Sequence, residues 1–321
     1  MLLAAVNLQS FAQLTANGIL RGAAVGLLGV GLALILGVAG RFHFAFGSFY
    51  ALTAYLAYTF ARRGVLPPFI ESMLPFWPAA LVAIIVVALL AVLVERFVYQ
   101  PLARTAGENA LLAIFVAALG LGIALENLIR LLWTSASQPY FGPTQERWSI
   151  WKVSFTNFDV YQFVLYAALT LALAALLRYT PLGRMVRATR SNPDLAVTIG
   201  INSKHVYMIA FFIGTFLAGV VAVWQGIQFT VEPGMGERPV IYAFVVAFLA
   251  GTASSPIKLF LTGIGLITVE QWASMFVSVR WTQTVVFIVL IGYLAWLSIR
   301  QSAFYVKLRT PSPGRTAPKK A

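Results

Sequence analysis

The sequence predicts an all-α protein, a polytopic transmembrane helical bundle of about eight or nine membrane segments with short cytoplasmic helices between them. The chain has 321 residues, of which 60% are hydrophobic and only 10% charged, whereas a soluble domain is roughly 25% charged. Its mean hydropathy is +0.83, and several apolar runs reach the roughly 20 residues that a helix needs to cross a bilayer. An integral membrane protein follows from these observations.

The apolar runs place the segments in chain order. The predicted membrane segments cover residues 15–38, 44–60, 79–98, 109–133, 160–177, 206–229, 239–249, 257–279 and 281–299. Residues 64–78 hold four prolines and predict a loop or a re-entrant piece. Residues 134–159 are rich in aromatic residues, proline and serine with balanced charge, which is typical of a non-cytoplasmic loop. The first segment continues without a cleavage site, so we expect a membrane helix there and no signal peptide.

The first segment carries a regular glycine spacing. Gly18, Gly22 and Gly26 recur every fourth residue. Small residues at this interval let two helix backbones approach closely within a membrane. The spacing predicts a helix-packing face.

The charge distribution predicts the orientation and the domain organisation. Five of the 23 basic residues lie between Arg178 and Lys204, and six more lie between Arg300 and Lys320. Basic clusters beside membrane segments favour the cytoplasmic side. We therefore expect a transmembrane domain over residues 1–300 with a cytoplasmic loop at 180–204, followed by a basic, disordered cytoplasmic tail over 301–321. Because the net charge of +13 is concentrated in these clusters, it does not predict a nucleic-acid partner.

Several kinds of chemistry are excluded by composition. The chain has no cysteine and only two histidines, so it lacks the ligand pattern of a catalytic zinc site. It also lacks the G-x-x-x-x-G-K-[ST] loop that binds nucleotide phosphates. We expect no metal, no cofactor and no catalytic residues, and the energy for any transport must come from another subunit or from an ion gradient.

The most polar internal stretch, residues 180–202, predicts two short helices. Arg184, Arg187 and Arg190 recur every third residue, which predicts three guanidinium groups on one side of the first helix. Asn192 is a predicted N-cap followed by Pro193 at the first helical position.

The second short helix has a predicted apolar face and a predicted stop. Leu195, Ala196 and Ile199 form the face, and Gly200 can adopt the left-handed conformation that ends a helix. Such a helix would fit the groove of a partner protein. A solvated basic loop that only obeys the positive-inside rule is the alternative.

The same stretch resembles the cytoplasmic loop of branched-chain amino acid ABC transporter permeases. The matching residues are Thr180, Leu182, Gly183, Arg184, Arg187, Ala188, Asn192, Ala196, Gly200, Ile201 and Asn202. The turn at residues 41–47 is similar to another motif of that family, although His43 and Phe46 stand where the family has Asn and His.

The resemblance implies the permease subunit of an ABC importer in the inner or plasma membrane. Cytoplasmic ATPase subunits, which bind the ATP, would couple to seven residues of the loop: Arg184, Arg187, Arg190, Leu195, Ala196, Ile199 and Gly200. A second permease subunit, identical or different, would complete the pathway at a dimer interface. An external or periplasmic solute-binding protein would deliver a branched-chain amino acid or a related small polar solute.

The pathway candidates are His43, Glu126 and Glu270. Charges at membrane depth are costly and often mark a pathway, and the apolar segments also contain Arg21. Glu126 stands where the family usually has an amide, and it can pair with Arg130 four residues later. An ion-coupled secondary transporter would use the same glutamates together with broken helices, and it remains the alternative. A membrane-embedded enzyme is a more distant one.

Overall fold

The structure is a computed structural model that describes residues 8–61, 75–137, 146–150, 153–278 and 281–309. The helices are α1 (Leu8–Ala39), α2 (Phe46–Ala61), α3 (Phe76–Val94), α4 (Gln100–Thr105), α5 (Ala110–Trp133), α6 (Asn157–Tyr179), α7 (Pro181–Ser191), α8 (Pro193–Thr198), α9 (Ser203–Gln228), α10 (Glu237–Ala250), α11 (Pro256–Ala273) and α12 (Thr282–Arg309). A π-helical turn over Glu95–Tyr99 joins α3 to α4, and a 3₁₀ turn over Gly107–Asn109 precedes α5. The prediction of a helical membrane bundle is confirmed.

Within the described part of the chain, five helical stretches are long and apolar enough to cross a membrane. They are Gln9–Ala39, Phe76–Thr105, Gly107–Trp133, Asn157–Tyr179 and Ser203–Gln228. A shorter apolar helix covers Thr282–Trp296. The count of eight or nine segments stays a prediction.

Helix α1 lies at the centre of the bundle, against α11, α9 and α10. A β-carbon placed on Gly22 would lie 2.6 Å from the Cα of Ile264, and one placed on Gly18 would lie 2.6 Å from the Cα of Thr268. A β-carbon placed on Gly26 would lie 2.5 Å from the carbonyl oxygen of Phe260. The glycine face therefore packs backbone to backbone against α11, as small residues allow.

Helix α2 begins in the interior of the bundle. Ser48, in its first turn, donates a hydrogen bond of 2.9 Å to the carbonyl of Gly122, which lies midway along α5. Near its last turn, Thr59 accepts a bond of 2.7 Å from the indole of Trp133, the last residue of α5. Helix α2 thus runs beside only the second half of α5, and its 16 residues rise about 24 Å.

Helix α10 begins beside the start of α2. Gly236 is the N-cap of α10, and a β-carbon placed on Gly47 would lie 2.5 Å from its carbonyl oxygen. The glycine at each position allows the two backbones to touch.

A β-hairpin, which the sequence did not predict, marks one end of the bundle. Strand β1 (Arg147–Ile150) pairs antiparallel with β2 (Val153–Thr156), with Trp148 opposite Phe155. Gln13 of α1 bonds the backbone of Ser154 in both directions, at 2.7 and 2.8 Å. We call this the hairpin end, and the opposite end, where α7 and α8 connect α6 to α9, the loop end.

The C-terminal helix extends past the predicted boundary. The sequence predicted a disordered tail over 301–321, whereas α12 continues to Arg309. Residues 300–309 contain no glycine or proline, so nothing in them breaks the helix before Pro311. Residues 310–321, like the predicted loop residues 64–74, lie outside the described residues.

Candidate functional site

The loop end carries the helix α8 between two turns that fix its ends. The side chain of Asn192 accepts hydrogen bonds of 3.0 Å from the backbone N–H groups of Asp194 and Leu195. Gly200 has a φ of 84°, and Ile201 donates to the carbonyl of Ala196 at 3.0 Å, which closes the helix in a Schellman-type turn. The predicted N-cap and the predicted left-handed glycine are confirmed.

The apolar residues of α8 divide between two sides. Ala196 is only 2% exposed and faces the bundle, whereas Ile199 is 71% exposed and Leu195 and Val197 are also exposed. Ala196 therefore does not belong to the outward face that the sequence predicted, because residues one position apart point in different directions on a helix. Val197 takes its place on the exposed surface.

The three arginines of α7 do not share one environment either. Arg184 and Arg187 are exposed, and Arg187 donates to the carbonyl of Leu177. Arg190 is partly buried, and a β-carbon placed on Gly37 would lie 3.0 Å from its Nη2. Burial lowers the pKa of Arg190 below its usual value. Its guanidinium lies at the C-terminal end of α1, where a helix dipole favours a positive charge.

Between α2, α5 and α10 lies a cavity of about 270 Å³, which we call the α5 cavity. Its lining includes Phe44, Ser48, Gly122, Glu126, Gly236 and Glu237. Glu126 forms the predicted ion pair with Arg130, and both side chains are partly exposed. The neighbouring surface of α5 is apolar and exposed, with Ile123 and Leu131 among the most exposed side chains.

A larger cavity of about 540 Å³ lies between α1, α2, α6, α9, α10 and α11. Four charged side chains line it, Arg21, Glu232, Arg238 and Glu270, and we call it the arginine–glutamate cavity. Four glutamines join them: Gln162, Gln225, Gln228 and Gln271.

The arginine–glutamate cavity opens toward the hairpin end. Gln162 lies in the second turn of α6 and Gln228 at the end of α9, and Gln228 donates 2.8 Å to Asp159 in the first turn of α6. Tyr242 donates 2.8 Å to Glu270, while Arg21 and Arg238 are exposed. Both cavities share one wall, because the residues from Glu232 to Tyr242 are divided between the two linings.

The structure separates the predicted pathway candidates. Glu126 lines the α5 cavity and Glu270 lines the arginine–glutamate cavity. His43 lines neither, since it is fully buried with its Nδ1 3.0 Å from the hydroxyl of Tyr99. Sequence reasoning singled out Arg21 without a role and missed Glu232 and Arg238. The paired amides Gln225 and Gln228 at the end of an apolar helix were the available signal for this cavity.

A second internal charge pair lies nearer the loop end. Arg41, two residues after α1, bonds Glu95 at 2.6 Å, and both side chains are buried. The guanidinium carbon of Arg41 lies 5.4 Å from the ring centre of Tyr207. In the described ranges, no group of three or more His, Cys, Asp and Glu residues could hold a metal ion.

Comparisons with known proteins agree with this architecture. The family described as branched-chain amino acid transport system / permease component matches residues 14–294. The high-affinity branched-chain amino acid transport system permease protein LivH of Salmonella typhimurium is 27% identical over 290 residues, which cover 88% of this chain and 92% of the relative. BraD of Pseudomonas aeruginosa, a permease protein of the same kind of system, is 28% identical over 256 residues, covering 77% and 81%.

A further relative matches over a shorter part of the chain. The probable branched-chain amino acid transport permease protein LivH of Methanocaldococcus jannaschii is 26% identical over 232 residues, 70% of this chain and 69% of the relative. The family match covers most of the chain. The chain therefore belongs to the family of permease components of branched-chain amino acid transport systems.

Proposed function

We propose that this chain is the membrane subunit of an ATP-driven importer that moves a branched-chain amino acid or a related small polar solute. Separate ATPase subunits dock at the loop end, and an external or periplasmic solute-binding protein delivers the solute at the hairpin end. The family supports this function over an ion-coupled secondary transporter. The structural observation that carries the proposal is the uncovered apolar surface of α8.

That surface fits a partner protein. Leu195, Val197 and Ile199 project outward, while the buried Ala196 and a hydrogen bond of 3.2 Å from Ser203 to the carbonyl of Pro193 hold the helix on the bundle. Nothing in the described chain covers these three side chains. A cluster of exposed large apolar residues outside the membrane segments marks an interaction site. A rigidly seated helix can also transmit the motion of its partner to α7 and α9.

The loop end also contains the link from this surface to the core. Arg190 of α7 lies against Gly37 at the end of α1, and the carbonyl of Thr252 lies against the same glycine, 2.8 Å from a β-carbon placed there. A displacement of α7 therefore acts on the end of α1, which in turn contacts the turn between α10 and α11. This path supports a coupling role for the loop.

The α5 cavity is this subunit's half of the translocation pathway in the proposal. Glu126 and Arg130 are partly exposed on a helix whose neighbouring surface is apolar. Charges facing lipid at membrane depth are costly. A second permease subunit, identical or different, would cover this face and enclose the cavity.

Disruption of the α8 surface tests the proposed function. In the variants Leu195→Asp and Ile199→Asp, a carboxylate would enter an apolar contact, which costs several kcal/mol. Because about 1.4 kcal/mol corresponds to a tenfold change in affinity, co-purification of the ATPase should fall by two orders of magnitude or more. Transport should vanish while the permease stays in the membrane at its normal level.

The control for these variants is Ser191→Asp, which adds a carboxylate at an exposed position two residues before α8. We expect it to retain the ATPase. If both α8 variants bind the ATPase and transport normally, the helix is a solvated loop and the proposal loses its main support.

Cysteine labelling tests the orientation, and the chain has no native cysteine to interfere. Ser149→Cys in the hairpin should react with an impermeant maleimide added to intact cells. Ser191→Cys at the loop end should react only after the cells are opened. Labelling of Ser191→Cys from outside would reverse the proposed topology and place the α8 surface away from any cytoplasmic ATPase.

A further inference from the structure

We propose that the arginine–glutamate cavity binds one free zwitterionic amino acid with an aliphatic side chain inside a single subunit, apart from the pathway at the interface between permeases. The site thus takes its substrate class from the proposed function. Its location and its chemistry rest on the residues that line it.

The charges of the cavity are not neutralised by direct contact. Within the described residues, ion pairs join only Arg41 to Glu95 and Arg130 to Glu126. Arg21, Glu232, Arg238 and Glu270 therefore face the cavity without a partner of opposite charge within 4.0 Å. Arg21, Glu232 and Arg238 are exposed, so a ligand that enters the cavity can reach them.

A zwitterion supplies what these four groups lack. Two arginines and two glutamates give the lining no net formal charge, so it favours a ligand that is neutral overall but carries both signs. The arginines can bind a carboxylate through paired N–H groups, and the glutamates can accept hydrogen bonds from an ammonium group. A simple anion or cation would satisfy one sign and repel the other.

The buried base of the cavity also lacks partners. Gln162 is 4% exposed and Tyr50 is 1% exposed, and the described residues offer no hydrogen bond to either side chain. Since both side chains line the cavity, water or a ligand inside it can bond to their polar atoms.

The remaining wall suits an aliphatic side chain. Val25, Leu28, Val221 and Ile267 line the cavity beside the polar groups. The volume of about 540 Å³ lies within the range of about 300–1,000 Å³ that small-molecule sites have. The α5 cavity differs, because its lining contains Glu126 and Glu237 but no arginine.

Binding of L-leucine tests the site. The complete transporter in lipid nanodiscs, without ATP, is titrated with radiolabelled L-leucine, and two analogues compete for binding. L-leucinamide lacks the carboxylate, and 4-methylpentanoate lacks the ammonium group. We expect each analogue to bind at least tenfold more weakly than leucine.

Conservative variants of Arg238 and Glu232 test which residue binds the carboxylate of leucine and which binds its ammonium group. Arg238→Gln should weaken leucine binding at least tenfold and leave leucinamide binding unchanged, whereas Arg238→Lys should restore most of the leucine affinity. Glu232→Gln should weaken leucine binding and leave 4-methylpentanoate unchanged. Glu146→Gln is the control, since it removes an exposed glutamate at the same end of the bundle that lies outside the cavity, and it should bind leucine as the wild type does.

The outcomes separate this inference from the proposed function. If the wild type transports leucine but both cavity variants bind it normally, or if leucinamide binds as tightly as leucine, the site is refuted while the importer stands. If the wild type with its ATPase and binding protein transports no branched-chain amino acid, the proposed substrate class fails. A panel of other zwitterionic amino acids then tests whether the cavity is a binding site. If none of them binds, the proposed site is refuted as well.

Discussion

The Arg41–Glu95 pair and the arginine–glutamate cavity both place charged side chains inside the bundle, but in opposite arrangements. Arg41 and Glu95 are buried and in direct contact at 2.6 Å. Arg21, Glu232 and Arg238 are exposed to their cavity and touch no opposite charge in the described part of the chain. A charge that is already paired holds two segments together, whereas a charge that is kept apart stays available to a ligand.

The location of the pair explains its structural role. Arg41 lies in the segment that leads from α1 into α2, and Glu95 begins the π-helical turn after α3. The two residues are 54 positions apart in the chain, so their contact fixes the entry to α2 against α3. The charged residues of the cavity surround an open space and do not link two segments of the chain in this way.

Among the variants considered, Glu95→Ala should destabilise the protein most, because it removes the carboxylate of the buried pair. It leaves the Arg41 guanidinium buried without its partner, which costs about 3–5 kcal/mol. We expect a large fall in the melting temperature of the purified permease in detergent and a low yield from the membrane. The double variant Arg41→Met with Glu95→Met should recover most of the loss, because apolar residues of similar size often replace a buried pair without penalty. An unchanged melting temperature of Glu95→Ala would show that the pair holds nothing together.

Overpacking of the seam between α1 and α11 should cause the second largest loss of stability. This seam positions Arg21, which lies near the middle of α1, at the cavity. In Gly22→Leu the new side chain meets the backbone of Ile264, so the cost should reach at least the roughly 1–3 kcal/mol of a strained core. Assembly of active complex should fall with the melting temperature.

Gly265→Leu is the matched control for the seam, since a β-carbon there meets nothing within 4 Å. Equal yields of active complex from Gly22→Leu and from the wild type would contradict a close-packed face.

Removal of one hydroxyl in Tyr242→Phe should have a small effect on stability. It takes away the donor to Glu270, which typically costs about 0.5–1.5 kcal/mol. Because Glu270 faces a cavity that can hold water, the melting temperature should fall far less than in Glu95→Ala. A loss as large as that of Glu95→Ala would mean that the cavity charges also hold the fold.

Neutralisation in Glu232→Gln should leave stability within about 0.5 kcal/mol of the wild type, as for most exposed substitutions. The reason is that Glu232 has no direct charged partner to lose. The same thermal denaturation measurement checks it, and a marked rise or fall would reveal a partner for Glu232 in the folded state.

Features that depend on one helix could be predicted from the sequence. The cap at Asn192, the turn at Gly200 and the pair between Glu126 and Arg130 involve residues within a few positions of each other. Composition alone was enough for the helical membrane class. The inward position of Ala196 was missed because its short helix was read as a single apolar patch, without regard to where the bundle lies.

Features that depend on how distant helices meet could not be predicted. Arg21 reaches the same cavity as Glu232 and Glu270 only because α1 packs at a particular register on α11. The contact of Arg41 with Glu95 likewise depends on the path after α1. The hairpin was hidden in a loop whose aromatic residues also suit a membrane surface, so composition could not distinguish a strand from an irregular connection.

The contact between Gly47 and Gly236 has a consequence for leakage of ions across the membrane. At this point the wall between the two cavities consists of main chain from the first turn of α2 and the N-cap of α10. A wall of this kind has no side chain that can swing aside on the nanosecond timescale of rotamer changes. A connection between the cavities here requires α2 or α10 to move as a whole, so thermal fluctuation of single residues cannot open it.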